Sequence, residues 1–136
     1  MFKQILVPVD LSHGSLAQKA LNHAAKLKDT TGHVSVVHVT PELPSYVAAQ
    51  LPKDIMEETR AGEKRELQEL VDESDCNADI DLRTGPVARN ILAKAEGMDA
   101  DLIIIGSHDP SLQDYLIGST AATVVRNAKC TVMVIH

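Results

Sequence analysis

The sequence predicts an α/β domain built on an open parallel sheet, and three observations carry that prediction. Five short apolar runs alternate strictly with four segments of helical periodicity, the pattern of parallel strands joined by right-handed crossovers. The run Leu102–Ile105 is apolar throughout, as in a strand buried on both faces. Polar residues and glycines collect after the first and fourth runs, at Asp10 and at Gly106–Asp109. In such sheets ligands bind outside the C-terminal strand ends where the strand order reverses. If the first and fourth strands are neighbours, both sets line one crevice.

The elements follow in order. Ile5-Leu6-Val7-Pro8-Val9-Asp10 is the first strand. Pro8 donates no ladder hydrogen bond and so belongs near its C-terminal end. Ser12 is the expected N-cap of the next helix, in which Leu16, Ala20, His23 or Ala24, and Leu27 recur at helical spacing. Lys26 and Lys28 suit its last turn and Gly32 is its expected stop. Val34–Val39 is the second strand. Three prolines make Pro41–Pro52 a loop. A charged helix over Lys53–Glu73 has an apolar stripe of Ile55 or Met56, Thr59, Leu67, and Leu70 or Val71, and its charges form a solvated face. Cys76–Arg83 alternates like an edge strand, with Ala78, Ile80 and Leu82 inward and Asp79 and Asp81 on the other side. Pro86 suits a first helical position. Val87, Ile91, Leu92 and Ala95 mark a helix that Gly97 ends. The fourth strand is Asp101–Ile105. The last helix spans Ser119–Asn127, with either Ala122 and Val125 or Ala121 and Val124 inward, and the last strand is Thr131–Ile135.

The stretch Ile103–Thr120 carries the chemistry. A buried strand, a small polar loop and then Gly118-Ser119-Thr120 at a helix start form an arrangement that holds phosphate. Glycine lets the backbone approach an anion closely, and the first helical N–H groups have no partner inside the helix. The chain contains neither GxxxxGK[ST] nor GxGxxG, so this is neither a P-loop nor a dinucleotide loop.

Composition narrows the classes. With 136 residues, 44% hydrophobic and 24% charged, the chain reads as one soluble domain with an aliphatic core. A formal charge of −6, with two tyrosines, one phenylalanine and no tryptophan, argues against nucleic-acid binding. No run is long enough for membrane insertion and no signal pattern opens the chain, so a cytoplasmic location is expected. Cys76 and Cys130 are expected to be reduced structural thiols. The six histidines lack zinc-ligand spacing. His23 and His38 sit in core-like patterns, whereas His13 and His33 read as surface residues. Tyr115 reads as a packing residue.

The opening KQILVPVDLS, the strand VSVVHVTP, the segment LRTGPVARNIL, the strand ADLIIIGSH and the ending GSTAATVVRNAKCTVMVIH together resemble the universal stress protein family across essentially the whole chain. Within it, SHDPSLQDYLIGSTAATVVRNAKC is most similar to the F-type bacterial branch. The resemblance implies a three-layer α/β/α sheet of order 3-2-1-4-5, of the Rossmann-like adenine-nucleotide alpha hydrolase (HUP) type. It also implies a cytoplasmic homodimer formed through the last strands (here Thr131–Ile135), an as yet unknown protein partner, and ATP, ADP or AMP as ligand in the binding members. Carried over to this chain, Pro8, Val9 and Asp10 line the adenosine end, with Asp10 on the ribose hydroxyls and Ser12 beside it. Val39 touches adenine. Gly106, Ser107 and His108 offer donors to phosphate, and Gly118, Ser119 and Thr120 hold the phosphates.

ATP-binding members carry G-x2-G-x9-G-[ST]. Gly106 and Gly118-Ser119 match its ends, but Asp109 replaces the middle glycine and the following segment is one residue shorter. A carboxylate near a triphosphate is repelled by roughly 1 kcal/mol at 4 Å in water. A bridging Mg²⁺ or Mn²⁺ reverses the sign, with Asp109 as a hard ligand. The leading expectation is therefore a nucleotide-binding regulatory protein, and a nucleotide-free interaction module is the alternative. An ATPase or nucleotidyl transferase lacks a P-loop lysine and a base paired with a positioned water, so any hydrolysis is expected to be slow. A phosphoacceptor domain lacks the clustered acids and the distal lysine it needs.

Overall fold

The computed structural model describes residues 1–107 and 118–136. Five parallel strands form one sheet: β1 (Phe2–Pro8), β2 (Lys28–Thr40), β3 (Ala78–Thr84), β4 (Leu102–Gly106) and β5 (Thr131–Ile135). Their order is β3-β2-β1-β4-β5, as the resemblance implies. The helices are α1 (Gly14–Leu27), α2 (Ser45–Ala48), α3 (Lys53–Glu73), α4 (Val87–Gly97) and α5 (Ser119–Asn127), and a 3-10 turn covers Leu11–His13.

Strand alternation splits the core into two layers. Ile5, Val7, Val34, Val36, Leu102 and Ile104 face Ala17, Ala20, Leu21 and Ala24 of α1 and Leu67 and Val71 of α3. On the other face, Leu6, Val37, Val39, Ile103 and Ile105 meet Ile91 and Ala95 of α4 and Ala121 and Val124 of α5. The structure thus selects Ala121 and Val124 as the inward pair of α5. β1 lies between β2 and β4, with Ile5 opposite both Val34 and Leu102. The Asp101 carboxylate fixes this register by accepting the N–H groups of Lys3 at 2.8 Å and Gln4 at 2.9 Å. β3 is a sheet edge, and Ala78, Ile80 and Leu82 pack on the α1–α3 layer.

Several local expectations are corrected. Asp10, not Ser12, is the cap after β1: its carboxylate accepts the Ser12 N–H at 3.0 Å, and α1 begins only at Gly14. Gly32 does not stop α1. Lys28 already has extended backbone and pairs with Phe2, and the register then jumps so that His33 lies opposite Gln4. A Cβ on Gly32 would sit 2.6 Å from Lys28 Cγ and 3.0 Å from the Phe2 carbonyl oxygen; this close approach demands the glycine. Helix α4 ends at Gly97 as expected, and the turn after it is closed by Asp99 at φ 51°, with the Ala100 N–H bonded back to the Ala95 carbonyl. In α3 the apolar stripe is buried only in its second half, since Ile55 and Met56 are exposed. The proline-rich loop contains the short α2. Both cysteines are free, and burial pushes each thiol up.

Among the described residues, the buried Ser35 hydroxyl in β2 has no hydrogen-bond partner. A buried hydroxyl that exchanges water for nothing destabilises the fold. The Ser35→Ala variant is therefore expected to be more stable than the parent by about 1 kcal/mol in urea unfolding. A loss of stability of that size would show that the hydroxyl is satisfied.

Candidate functional site

At the C-terminal ends of β1, β2 and β4 a cavity of about 470 Å³ opens, within the size range of small-ligand sites. The reversal of strand order puts it there, because the crossovers from β1 and β4 leave on opposite faces of the sheet. One wall is apolar, from Val9, Val39, Val87, Ile91 and Ile105. Asp10, His13 and His38 supply its titratable groups, and Gly118, Ser119 and Thr120 close its other end.

The start of α5 is open. Gly118 is its extended N-cap and makes no side-chain capping bond, and the first bond across the turn runs from the Ala122 N–H to the Gly118 carbonyl at 2.9 Å. The N–H groups of Ser119, Thr120 and Ala121 precede the first intrahelical donor and have no backbone partner among the described residues. The Gly118 N–H is not among them, because it donates to the Ser107 carbonyl at 3.0 Å.

Asp10 is held in place by its neighbour. Its Oδ1 accepts the Ser12 hydroxyl at 2.6 Å as well as the Ser12 N–H, and Oδ2 lies 3.9 Å from His13 Nε2. Partial burial pushes the carboxyl up, but the two Ser12 bonds and the nearby His13 and His38 outweigh it, and the net position is below the usual value. A lowered carboxyl stabilises the fold above its ordinary titration range, and that contribution is lost as pH falls through the folded-state value. In acid-unfolding curves the advantage of the parent over the Asp10→Asn variant is expected to vanish below the ordinary aspartate range. An advantage that persists there would contradict the assignment.

Pro8, Val9, Asp10, Val39, Gly106, Gly118, Ser119 and Thr120 line the cavity. Two expected residues do not. Ser12 is spent on Asp10. Ser107 donates its N–H to the Ile135 carbonyl at 2.8 Å and pairs its hydroxyl with His136 Nδ1 at 2.8 Å, so neither group is offered to a phosphate. Packing also calls for a glycine at Gly106, since a Cβ there would lie 2.4 Å from Leu16 Cδ2. His108, Asp109 and Tyr115 lie outside the described residues. Sequence reasoning missed His13, expected at the surface, and the lining role of His38. His38 is the polar position between Val37 and Val39 at the strand end, and its Nδ1–H donates to the Val9 carbonyl at 2.9 Å.

A second groove, about 980 Å³ in volume, lies between α2 and α3, with Leu43, Leu51, Ile55 and Met56 in its walls. It shares only Pro41 with the strand-end cavity, and the helix start it includes, at Ser45, belongs to the four-residue α2. The smaller cavity combines an apolar wall, a carboxylate and the N–H groups of a helix start. Among the described residues it is lined by no lysine or arginine, and no cluster of three metal-ligating side chains exists.

The model of the universal stress protein family matches residues 1–136. This chain belongs to that family. Universal stress protein G of Shigella flexneri is 33% identical over 144 residues, covering 100% of both chains, which groups this universal stress protein with the G/F-type branch. The solved structure of hypothetical protein MJ0577 matches with a TM-score of 0.82 at 24% identity, over 99% of this chain and 96% of that one. A universal stress protein in complex with cAMP matches with a TM-score of 0.61 at 20% identity, over 99% and 97% of the two chains. These structural similarities show the shared fold.

Proposed function

We propose that this universal stress protein binds ATP or a related adenine nucleotide in the strand-end cavity and acts as a regulatory, stress-protective homodimer in the cytoplasm. The observation that carries the reading is the uncapped start of α5 at one end of a cavity whose other wall is apolar. Adenine lies against Val9 and Val39, with Pro8 beside it. Asp10 accepts the ribose hydroxyls through Oδ2, since Oδ1 is committed to Ser12. The phosphates meet the N–H groups of Ser119, Thr120 and Ala121 and the two hydroxyls, where the helix dipole favours negative charge. A relative that binds cAMP supports the adenine preference.

Hydrolysis is slow in this reading, because no described lining residue is a lysine or arginine to stabilise a departing phosphate. A Mg²⁺ or Mn²⁺ ion would neutralise phosphate charge, with Asp109 as its protein ligand. The dimer forms through β5, one of the two edges of the sheet, whose unpaired backbone groups are satisfied by antiparallel pairing with a second copy. The nucleotide then tunes contact with a protein partner. Asp109 in place of the family's glycine favours a second reading, a nucleotide-free interaction module.

Calorimetry with ATP on nucleotide-stripped protein, with and without Mg²⁺ and repeated on Asp109→Gly, separates the two. Binding by the parent supports the nucleotide reading, and its collapse without metal supports Asp109 as part of a metal-assisted phosphate site. No binding by the parent, with binding gained in Asp109→Gly, makes the chain an interaction module.

A further inference from the structure

We propose that His136 is a positioning residue for the anion-binding start of α5, acting through Ser107; the inference rests on the nucleotide reading above. Ser107 is buried and bonded to both β5 and the start of α5. Its N–H is bonded to Ile135 of β5, its carbonyl accepts the Gly118 N–H, and its hydroxyl is bonded to His136 Nδ1. His136 is itself held from α1, because Lys19 Nζ donates to its carbonyl oxygen at 2.8 Å. The Gly118 bond sets where α5 begins and so where the free N–H groups of Ser119, Thr120 and Ala121 lie. The Ser107 hydroxyl has no other partner among the described residues. Without His136 it becomes a buried, unsatisfied group, and the residue that holds Gly118 loses one of its two other bonds, keeping only that to Ile135. A few tenths of an ångström of drift there misaligns every N–H aimed at the phosphates.

The variants are Ser107→Ala, His136→Ala, the double variant, and His136→Asn, whose amide keeps a hydrogen-bonding atom near the position of Nδ1. Two readouts are taken: amide exchange at Gly118 and ATP affinity by calorimetry. Each alanine variant is expected to speed exchange at Gly118 by about tenfold with β1 and β2 amides unchanged, and to weaken ATP binding by about tenfold. The double variant should be no worse than either single one, and His136→Asn should recover most of both losses.

Unchanged Gly118 exchange in both single variants overturns the positioning role, whatever ATP does. Faster exchange everywhere, unrescued by asparagine, also overturns it, because that is general destabilisation. If the parent binds no ATP, the nucleotide reading falls, and Gly118 exchange alone decides whether His136 holds the helix start.

Discussion

The Ser119→Asp variant is expected to be slightly more stable than the parent and to bind ATP about a hundredfold more weakly. Ser119 is the first residue of α5, exposed and uncapped, at the end of the cavity. A carboxylate in a first helical turn meets the positive end of the helix dipole and stabilises by about 0.3–1 kcal/mol. The same carboxylate faces the phosphates. One like charge at 4 Å costs roughly 1 kcal/mol in water and about 4 kcal/mol in a partly dry cleft, and every 1.4 kcal/mol is about tenfold in affinity. Stability and binding therefore move in opposite directions. Urea unfolding and calorimetry on the same preparation check this, and the binding loss should shrink at high salt. Unchanged affinity would remove phosphate from the α5 start. A parallel fall in stability and affinity would mean that the substitution had simply damaged the helix.

The Gly106→Ala variant is expected to lose about 1–3 kcal/mol of stability, the usual cost of overpacking. The added methyl would lie 2.4 Å from Leu16 Cδ2 and 3.0 Å from Leu16 Cγ. Leu16 must turn away from β4, and because it also lines the cavity, the turn narrows the site. Adding Leu16→Ala removes the clash, so the double variant should be more stable than the sum of the two single losses allows. Strict additivity would show that Gly106 is required for a reason other than contact with α1.

The framework was legible in the sequence because period and punctuation agreed. The bounds of α3, α5 and β5 match the residues read from pattern alone. Asp10 and Gly118–Thr120 came into view as polar residues at strand and helix ends. What failed was local chemistry decided by tertiary contact. Gly32 looked like a helix stop, yet the constraint on it is Lys28 and the Phe2 carbonyl across the strand. Ser107 looked like a phosphate donor, but its partners Ile135 and His136 are about thirty residues away in the chain, a distance no pattern reading spans. Ile55 and Met56 completed a helical stripe on paper but lie in the half of α3 that is exposed. His13 was hidden for a similar reason: the 3-10 turn after Asp10 swings it toward the cavity, and a regular helix start there was the expectation.

A titration of ¹⁵N-labelled protein with ATP, read amide by amide, locates the nucleotide. The largest shifts are expected at Ser119, Thr120 and Ala121, with a second group at Val9, Asp10 and Val39, saturating together. Shifts confined to the α2–α3 groove around Leu43, Leu51, Ile55 and Met56, with the start of α5 unmoved, would contradict the proposed site.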